Sequence, residues 1–381
     1  MDSDQDSADD WVLLDSPSFP SDDDRVLALS SGCSSPDYEE EIVADGPEGL
    51  FDIAEAEVVP QPPPPPYKVL SGLFHHTITG AVSYVAFDPI CRWPAKHLIP
   101  DPAFSACDEG VTVLASTSGL VCLRGTSTGD YIIANPATFK RTRLPRHHLD
   151  HIAHGDPAVV ITFDDPYNCC ADHCGHYHVA VAFPLGQGIY AYESFSSRTW
   201  QWSVAGAISA VEQVVPASGV GALGRAFWRT TLGYFLCYDP VAGCADLVPA
   251  PQEVLQWPHW ELGEMEGSLC VTCMDERVNE VVVIYLHLDR RAAVISWTLA
   301  GHFEGGCLRN RDRVLLLRSQ GSAEVVMWDP MAEIVVAMDL EGRTTRTIGP
   351  LTGRQYYADF IPYVTTGISG IEADAQCTIA G

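Results

Sequence analysis

The densest group of side chains that could do chemistry lies within Cys169–His178. Three thiols and three imidazoles are available there, from Cys169, Cys170, His173, Cys174, His176 and His178. Soft ligands of this kind can hold a tetrahedral zinc ion. The spacing matches no standard zinc knuckle, however, and Tyr177 and His178 run into a predicted strand. We therefore predict a structural loop between two strands and no metal ligands, with zinc binding by this loop as the alternative.

A second histidine-rich segment lies just upstream. It contains His147, His148, His151 and His154, together with Asp150 and Asp156. Helical spacing would align three of these imidazoles, but Gly155-Asp156-Pro157 ends the segment at once. The sequence predicts a solvated connecting loop.

No catalytic signature accompanies these residues. The sequence has no Gly-x-Ser-x-Gly elbow, phosphate-binding loop or dinucleotide fingerprint. Asp164-Asp165 could serve acid–base chemistry, but Pro166 follows and the pair is typical of a turn. We predict a protein that is not an enzyme, with no catalytic residue and no cofactor.

Charge excludes several classes of partner. The 381 residues carry 50 acids and 22 bases, a formal net charge of −28. Phosphate backbones and anionic lipid surfaces are bound by clustered Lys and Arg, so neither nucleic acid nor a membrane is expected as the partner. Residues 1–66 hold 18 of the acids and one base, Arg25.

These first 66 residues are predicted to be a disordered acidic tail rich in Ser and Pro. The tail ends in a polyproline spacer, Pro62–Pro66, which is a linker or a ligand for an aromatic-lined groove. Near the start of the tail, Trp11 and Leu14 follow acidic residues. They resemble the motif that adds a strand to autophagy ubiquitin-like proteins. An acidic-hydrophobic activation segment is the other interpretation of the same residues.

The sequence favours a cytoplasmic or nuclear protein. Its first residues lack the basic and apolar regions of a secretory signal, and no run approaches the ~18–20 apolar residues of a membrane helix. In these compartments the thirteen cysteines should stay reduced. Cys122, Cys237 and Cys270 lie singly in apolar runs and are predicted to be small buried hydrophobes.

Residues 67–381 show strand signals almost throughout, and only Ala207–Val215 is a plausible short helix. The strands recur as a unit with a polar-Pro corner, found at Asn135-Pro136, Asp239-Pro240 and Asp329-Pro330. Looser copies cover 178–204 and 267–299, and the segments Leu70–Phe87 and Tyr356–Val364 flank the set. Such units must stack to bury their apolar faces. The sequence predicts an all-β fold: one β-propeller of six or seven blades, in which the two ends share a blade.

These units resemble a known family over roughly residues 68–368. Ser118–Leu123, Ile133–Thr138 and Arg143-Leu144-Pro145 look like the F-box-associated, kelch-type β-propeller of plant F-box proteins. So do the segments Gly224–Trp228, Leu262–Glu264, Gly267–Cys270, Leu70–Phe74 and Phe360–Val364. The resemblance implies a non-enzymatic module that recognises a protein partner through its loop face, where Trp257, Trp260 and Arg146 are candidate anchors.

The sequence departs from that family at its N-terminus. The family carries there a helical F-box, which recruits the Skp adaptor of a cullin–RING ubiquitin ligase. Here Gly32, Pro36 and Pro47 would break the helices, so the F-box is predicted to be absent or degenerate. A link to ubiquitin ligases follows from the resemblance only. The alternative function is a metal-binding or enzymatic propeller that uses the Cys169–His178 loop.

Overall fold

The computed structural model describes residues 68–366 except 78, 88–98, 165–174, 187, 211–212, 258–259, 276–279, 290–293, 305–313, 322–323, 341–342 and 352–359. Twenty-four strands occupy most of these residues. In the first half of the chain they are β1 (Lys68–His76), β2 (Val82–Ala86), β3 (Val111–Thr117), β4 (Leu120–Gly125), β5 (Tyr131–Asn135), β6 (Lys140–Arg143), β7 (Ala158–Phe163), β8 (Tyr177–Gly186), β9 (Ile189–Ser196) and β10 (Gln201–Ala210).

The second half contributes fourteen more strands. They are β11 (Val220–Ala222), β12 (Arg225–Arg229), β13 (Tyr234–Asp239), β14 (Cys244–Pro249), β15 (Trp260–Met265), β16 (Ser268–Asp275), β17 (Glu280–Asp289), β18 (Val294–Glu304), β19 (Leu315–Leu317), β20 (Gln320–Gly321), β21 (Glu324–Asp329), β22 (Ile334–Asp339), β23 (Thr344–Pro350) and β24 (Ile361–Thr366).

The strands form six sheets, which are the blades of a β-propeller. Blade 1 is β3–β6, blade 2 is β7–β10 and blade 3 is β11–β14. Blade 4 is β15–β18 with β20 on its inner edge, blade 5 is β19 with β21–β23, and blade 6 is β24-β1-β2. Six separate apolar clusters lie between them, each formed by two adjacent blades. The prediction of a six-bladed all-β propeller is confirmed.

The ring closes by pairing the two ends of the described chain. β24 is the innermost strand of blade 6 and runs antiparallel to β1, with Leu70 opposite Val364 and Phe74 opposite Ile361. β24 also lies beside β3, the innermost strand of blade 1. The predicted sharing of one blade by the two ends is confirmed.

The polar-Pro corners form as predicted. Oδ1 of Asp239 accepts hydrogen bonds from the amides of Val241 and Ala242, at 3.0 and 2.9 Å. Asp329 caps its own turn in the same way. The third copy of the unit is displaced, however. Its corner joins the second and third strands of blade 5, whereas Asp239-Pro240 joins the third and fourth strands of blade 3.

Helical structure is limited to short segments in the described part of the chain. These are α1 (Gln252–Leu255) and one 3-10 turn at Pro216–Ser218. The prediction of a helix over Ala207–Val215 is wrong, because β10 continues to Ala210 and its last three residues pair with β9. No helix among the described residues is long and apolar enough to cross a membrane.

Candidate functional site

The candidate site is a loop, residues 144–157, that connects blade 1 to blade 2. Because successive turns of an antiparallel blade alternate between its two ends, this loop lies at the same end of the propeller as the β4–β5 turn, residues 126–130. Both segments line a cavity of about 330 Å³, whose other walls come from Arg124 and Tyr131. We call this end of the propeller the loop-144 end.

Glu193 organises the loop from the third strand of blade 2. Its side chain is completely buried, and its carboxylate accepts the backbone amides of His148 and Leu149, at 2.9 and 3.2 Å. The Nδ1 atom of His148 lies 2.7 Å from Oε1, and Nε2 of His151 lies 3.0 Å from Oε2. One carboxylate therefore holds three residues of the loop, His148, Leu149 and His151, against blade 2.

His151 links this carboxylate to blade 1. Only 2% of its surface is exposed, and its Nδ1 atom lies 2.9 Å from the hydroxyl of Tyr131. The ring of His147 stacks on it at 4.3 Å between centroids, with 14° between the planes. Phe183 and Trp202 complete the aromatic surroundings. The result is a relay of three buried groups, Tyr131, His151 and Glu193, that crosses the boundary between two blades.

The electrostatics of the relay follow from its burial. Burial lowers the pKa of His151, although the hydrogen bond to Glu193 acts in the opposite direction. Burial alone would raise the pKa of Glu193, but its hydrogen bonds to His151 and His148 outweigh that effect and lower the pKa to about 2. At neutral pH a neutral imidazole therefore donates from Nε2 to an ionised carboxylate, and the Tyr131 hydroxyl donates to Nδ1.

Exposed apolar side chains lie on the same face of blade 2 as Glu193. Directly paired residues of antiparallel strands share a face, and Val204 pairs with Glu193 while Ile208 pairs with Ala191. Ile189 follows on the same face, two residues before Ala191. These side chains are 49%, 65% and 44% exposed for Val204, Ile208 and Ile189, respectively. We call these three residues the blade 2 apolar patch.

The prediction of a solvated loop for the upstream histidines is wrong at His151. His154 and the ring of His148 are exposed as expected, but His151 is buried between Tyr131, Glu193 and Phe183. The spacing of His147 and His151 was a usable signal, because it places their rings in contact. Nothing local to Glu193 identified it, since its partners are more than 40 residues away in the sequence.

Only part of the Cys169–His178 cluster can be placed. Cys169, Cys170, His173 and Cys174 lie outside the described residues. His176 is half-buried just before β8, and His178 is buried within it, as the predicted strand requires. Nε2 of His178 lies 3.0 Å from Oδ1 of Asp164, whose other oxygen accepts Arg198 at 2.9 Å. Asp164 thus pairs with blade 2 side chains, and metal binding by this loop stays a prediction.

The candidate anchor residues divide into two groups. Trp257 and Trp260 are half-buried against the core of blades 3 and 4, and Arg229 covers the Trp260 ring at 4.6 Å. They therefore act as packing residues. Arg146 is exposed and lines the cavity at the loop-144 end. Trp11 and Leu14 lie outside the described residues.

The six described cysteines are all free thiols. Cys122, Cys237 and Cys270 are buried, which confirms the prediction that they act as small core residues. Burial raises the pKa of Cys237 to about 12 despite the nearby Arg225, so this thiol is protonated at neutral pH.

No protein-family model matches the sequence, and no curated protein matches it significantly. Solved structures with a similar fold include a chain of the nidogen–laminin complex, at 11% identity and a TM-score of 0.38, covering 79% of this chain and 99% of that chain. The complex of the fission yeast SREBP–SCAP binding domains matches at 11% identity and a TM-score of 0.37, covering 79% of each chain. Apo AztD from Citrobacter koseri matches at 9% identity and a TM-score of 0.34, covering 66% and 73%. Assignment of this chain as a six-bladed β-propeller rests on its own strand order.

Proposed function

We propose that the chain is a non-enzymatic protein-binding propeller that contacts its partner at the loop-144 end. The observation that carries the proposal is the blade 2 apolar patch, Ile189, Val204 and Ile208. Single exposed apolar residues are ordinary, but neighbouring ones on one face of a sheet are typical of an interaction surface.

The loop beside the patch supplies further contact residues. Leu149 and Ile152 are 37% and 54% exposed, and the amide of Leu149 binds the carboxylate of Glu193, which pairs across the strands with Val204. Arg146 is exposed in the same loop and has no ion pair with any residue that the structure describes. Aliphatic residues beside an unpaired Arg suit a partner segment that offers apolar side chains and a carboxylate.

A more specific proposal concerns the kind of partner, and the resemblance to plant F-box-associated propellers supports it. We infer a substrate-recognition module of a degradation pathway that works without an F-box of its own. The order of the motifs from Leu70 to Val364 supports it, as does their arrangement as blades. We also propose that the protein acts in the cytoplasm or nucleus, where its free thiols would persist.

Affinity capture with matched variants tests the binding surface. Wild type, Ile208→Asp and Ile208→Lys are compared with Val241→Asp, which changes a 75% exposed residue in the β13–β14 turn at the opposite end of the propeller. We expect one set of proteins to bind wild type and Val241→Asp and to be lost with both changes at Ile208. Equal capture by all four chains would contradict the proposal.

The prediction that the F-box is absent or degenerate is tested separately with a purified Skp adaptor. We expect no complex with the full-length chain in size-exclusion chromatography. A complex that forms with the full-length chain and is lost on removal of residues 1–66 would place an adaptor-binding segment in the tail. That result would contradict the prediction that the F-box is absent or degenerate. It would not bear on the blade 2 apolar patch, which the capture experiment tests.

A further inference from the structure

We propose that His147, His151 and Glu193 form a binding site for one zinc ion at the loop-144 end. Each residue offers one ligand atom, and the three atoms lie within 4.8 Å of one another. Two imidazole nitrogens with one carboxylate oxygen form a donor set that suits zinc. This site differs from the Cys169–His178 cluster, whose described members His176 and His178 lie at the start of β8, at the other end of blade 2.

The distances between the ligand atoms fit a single ion. Zinc binds nitrogen and oxygen at about 2.0–2.2 Å, which places tetrahedral ligand atoms roughly 3–4 Å from each other. Nε2 of His151 and Oε2 of Glu193 already lie 3.0 Å apart. The His147 ring stacks on His151 at 4.3 Å, so a small rotation of this half-buried ring brings its nitrogen into range.

Both imidazoles have the second partners that metal-binding histidines need. Nδ1 of His147 contacts the carbonyl oxygen of Leu149. Because a carbonyl oxygen can only accept a hydrogen bond, Nδ1 carries the hydrogen and Nε2 keeps a free lone pair. Nδ1 of His151 contacts the hydroxyl of Tyr131. That hydroxyl can accept a hydrogen bond from Nδ1 when a metal occupies Nε2. Such second contacts fix the tautomer and orientation of a metal ligand.

The buried carboxylate of Glu193 favours the binding of a cation at this site. Its side chain is fully buried, and in the described part of the chain it contacts no Lys or Arg. Its ionisable partners there are His151, whose side chain is buried with it, and His148, whose side chain is 58% exposed. Buried charges in proteins are paired or coordinate metals, and a divalent ion would compensate this one.

A position for a fourth ligand opens onto the cavity. His147, His148 and His151 line this space of about 330 Å³, which is wide enough for water. Three protein ligands with one open position are typical of zinc sites that bind an exchangeable ligand.

Zinc titration of the full-length chain tests the site. The three cysteines Cys169, Cys170 and Cys174 are first replaced by Ser, which removes the thiol ligands of the other candidate zinc site. After treatment with a chelator, Zn²⁺ is titrated in competition with a chromophoric chelator, and Co²⁺ is added in parallel to read tetrahedral coordination from its visible absorption. We expect one zinc per chain.

Variants in this background assign the ligands. Loss of a residue that hydrogen-bonds to a metal ligand weakens metal binding by ~10–100-fold, and Tyr131→Phe should fall within that range. His147→Ala and Glu193→Gln remove ligands themselves and should weaken zinc binding by more. His154→Ala is the matched control, because His154 is exposed in the same loop and should leave the affinity unchanged. Circular dichroism checks that each variant is folded, and His147→Ala is the least disruptive since its ring is only half-buried.

Two results would overturn the site. One is failure of the folded chain that carries the three Cys→Ser changes to bind zinc or cobalt. The other is zinc affinity that is the same in this parent chain and in its His147→Ala and Glu193→Gln variants. Either result would mean that the cluster only supports the loop through hydrogen bonds. The proposed protein-binding function would not be affected, because it is tested with the Ile208 variants.

Discussion

Nε2 of His151 lies 3.0 Å from Oε2 of Glu193, and both side chains are almost entirely excluded from solvent. The two residues are 42 positions apart, one in the loop that leaves blade 1 and the other in the third strand of blade 2. Their contact fixes the loop that carries Arg146, Leu149 and Ile152. The shape of the proposed binding surface therefore depends on the protonation of two buried groups.

Stability should fall in two steps as the pH is lowered. The pKa of His151 is depressed, so below about 6.5 the unfolded chain takes up a proton that the folded chain does not. The pKa of Glu193 is depressed from 4.5 to about 2, so its contribution is present above pH 4.5 and is lost between pH 4.5 and 2. Urea unfolding at intervals between pH 8 and pH 3 measures the first step in full and the upper part of the second.

Glu193→Gln isolates the carboxylate in this experiment. At pH 7 we expect the substitution to lower the free energy of unfolding by on the order of 3 kcal/mol, and the difference from wild type should shrink towards pH 3. Asp246→Asn is the control, because Asp246 is exposed on β14 and should change stability by less than about 0.5 kcal/mol. A difference that is the same at pH 7 and pH 3 would contradict the assignment of an ionised Glu193.

Tyr131→Phe should cost about 1 kcal/mol of stability, because it removes the hydroxyl that binds Nδ1 of His151. Tyr177→Phe is a matched comparison in the same apolar cluster between blades 1 and 2. The Tyr177 hydroxyl is buried with no partner among the described residues, so its removal should be neutral or slightly stabilising. Thermal unfolding of the two variants, measured side by side, gives the difference in their stability. Equal effects would argue against the relay.

Asp329→Ala should destabilise the propeller more than Asp239→Ala. Each carboxylate caps its turn by accepting two backbone amides, but Asp329 is 2% exposed and Asp239 is partly exposed. Removal of a turn cap costs about 1 kcal/mol, and burial of the released amides adds to that cost. Asn at either position keeps the acceptor oxygen and should restore most of the loss. Chemical denaturation of the four variants decides whether burial sets the order.

The blades were predictable because their signals are local. The alternation of strands and the Asp-Pro turns each arise within a few residues, and Asp239 caps its turn as the sequence indicates. The ring closure followed from counting strands at the two ends. The displaced corner at Asp329 was not visible, because the number of a strand within its blade depends on which strands pair.

The candidate site was hidden because its contacts are long-range. Glu193 lies in a central strand whose two faces both pack against neighbouring blades, so alternation of polar and apolar residues does not mark it. The loop around His151 has the polar composition of a solvated turn. The burial of His151 depends on Phe183, Tyr131 and Glu193, which reach it from two different blades.

Gly221→Ala should destabilise the boundary between blades 2 and 3. Gly221 lies in β11, the innermost strand of blade 3, and β11 packs against β7 of blade 2. A Cβ atom at this position would collide with the carbonyl oxygen of Ile161 and lie 3.3 Å from Cα of Thr162. Both obstacles are backbone, which cannot rotate away as a side chain can. We expect a loss of about 1–3 kcal/mol or more in the free energy of unfolding, measured with urea.

Gly206→Ala is the matched change for this prediction. Gly206 lies in β10, at the outer edge of blade 2, and a Cβ atom there meets nothing within 4 Å. Alanine also narrows the unfolded ensemble, so this variant should be neutral or gain up to about 1 kcal/mol. Equal stability of the two variants would mean that the inner strands of blades 2 and 3 lie farther apart than the geometry at Gly221 requires. Opposite signs would support close packing of backbone on backbone at the propeller centre.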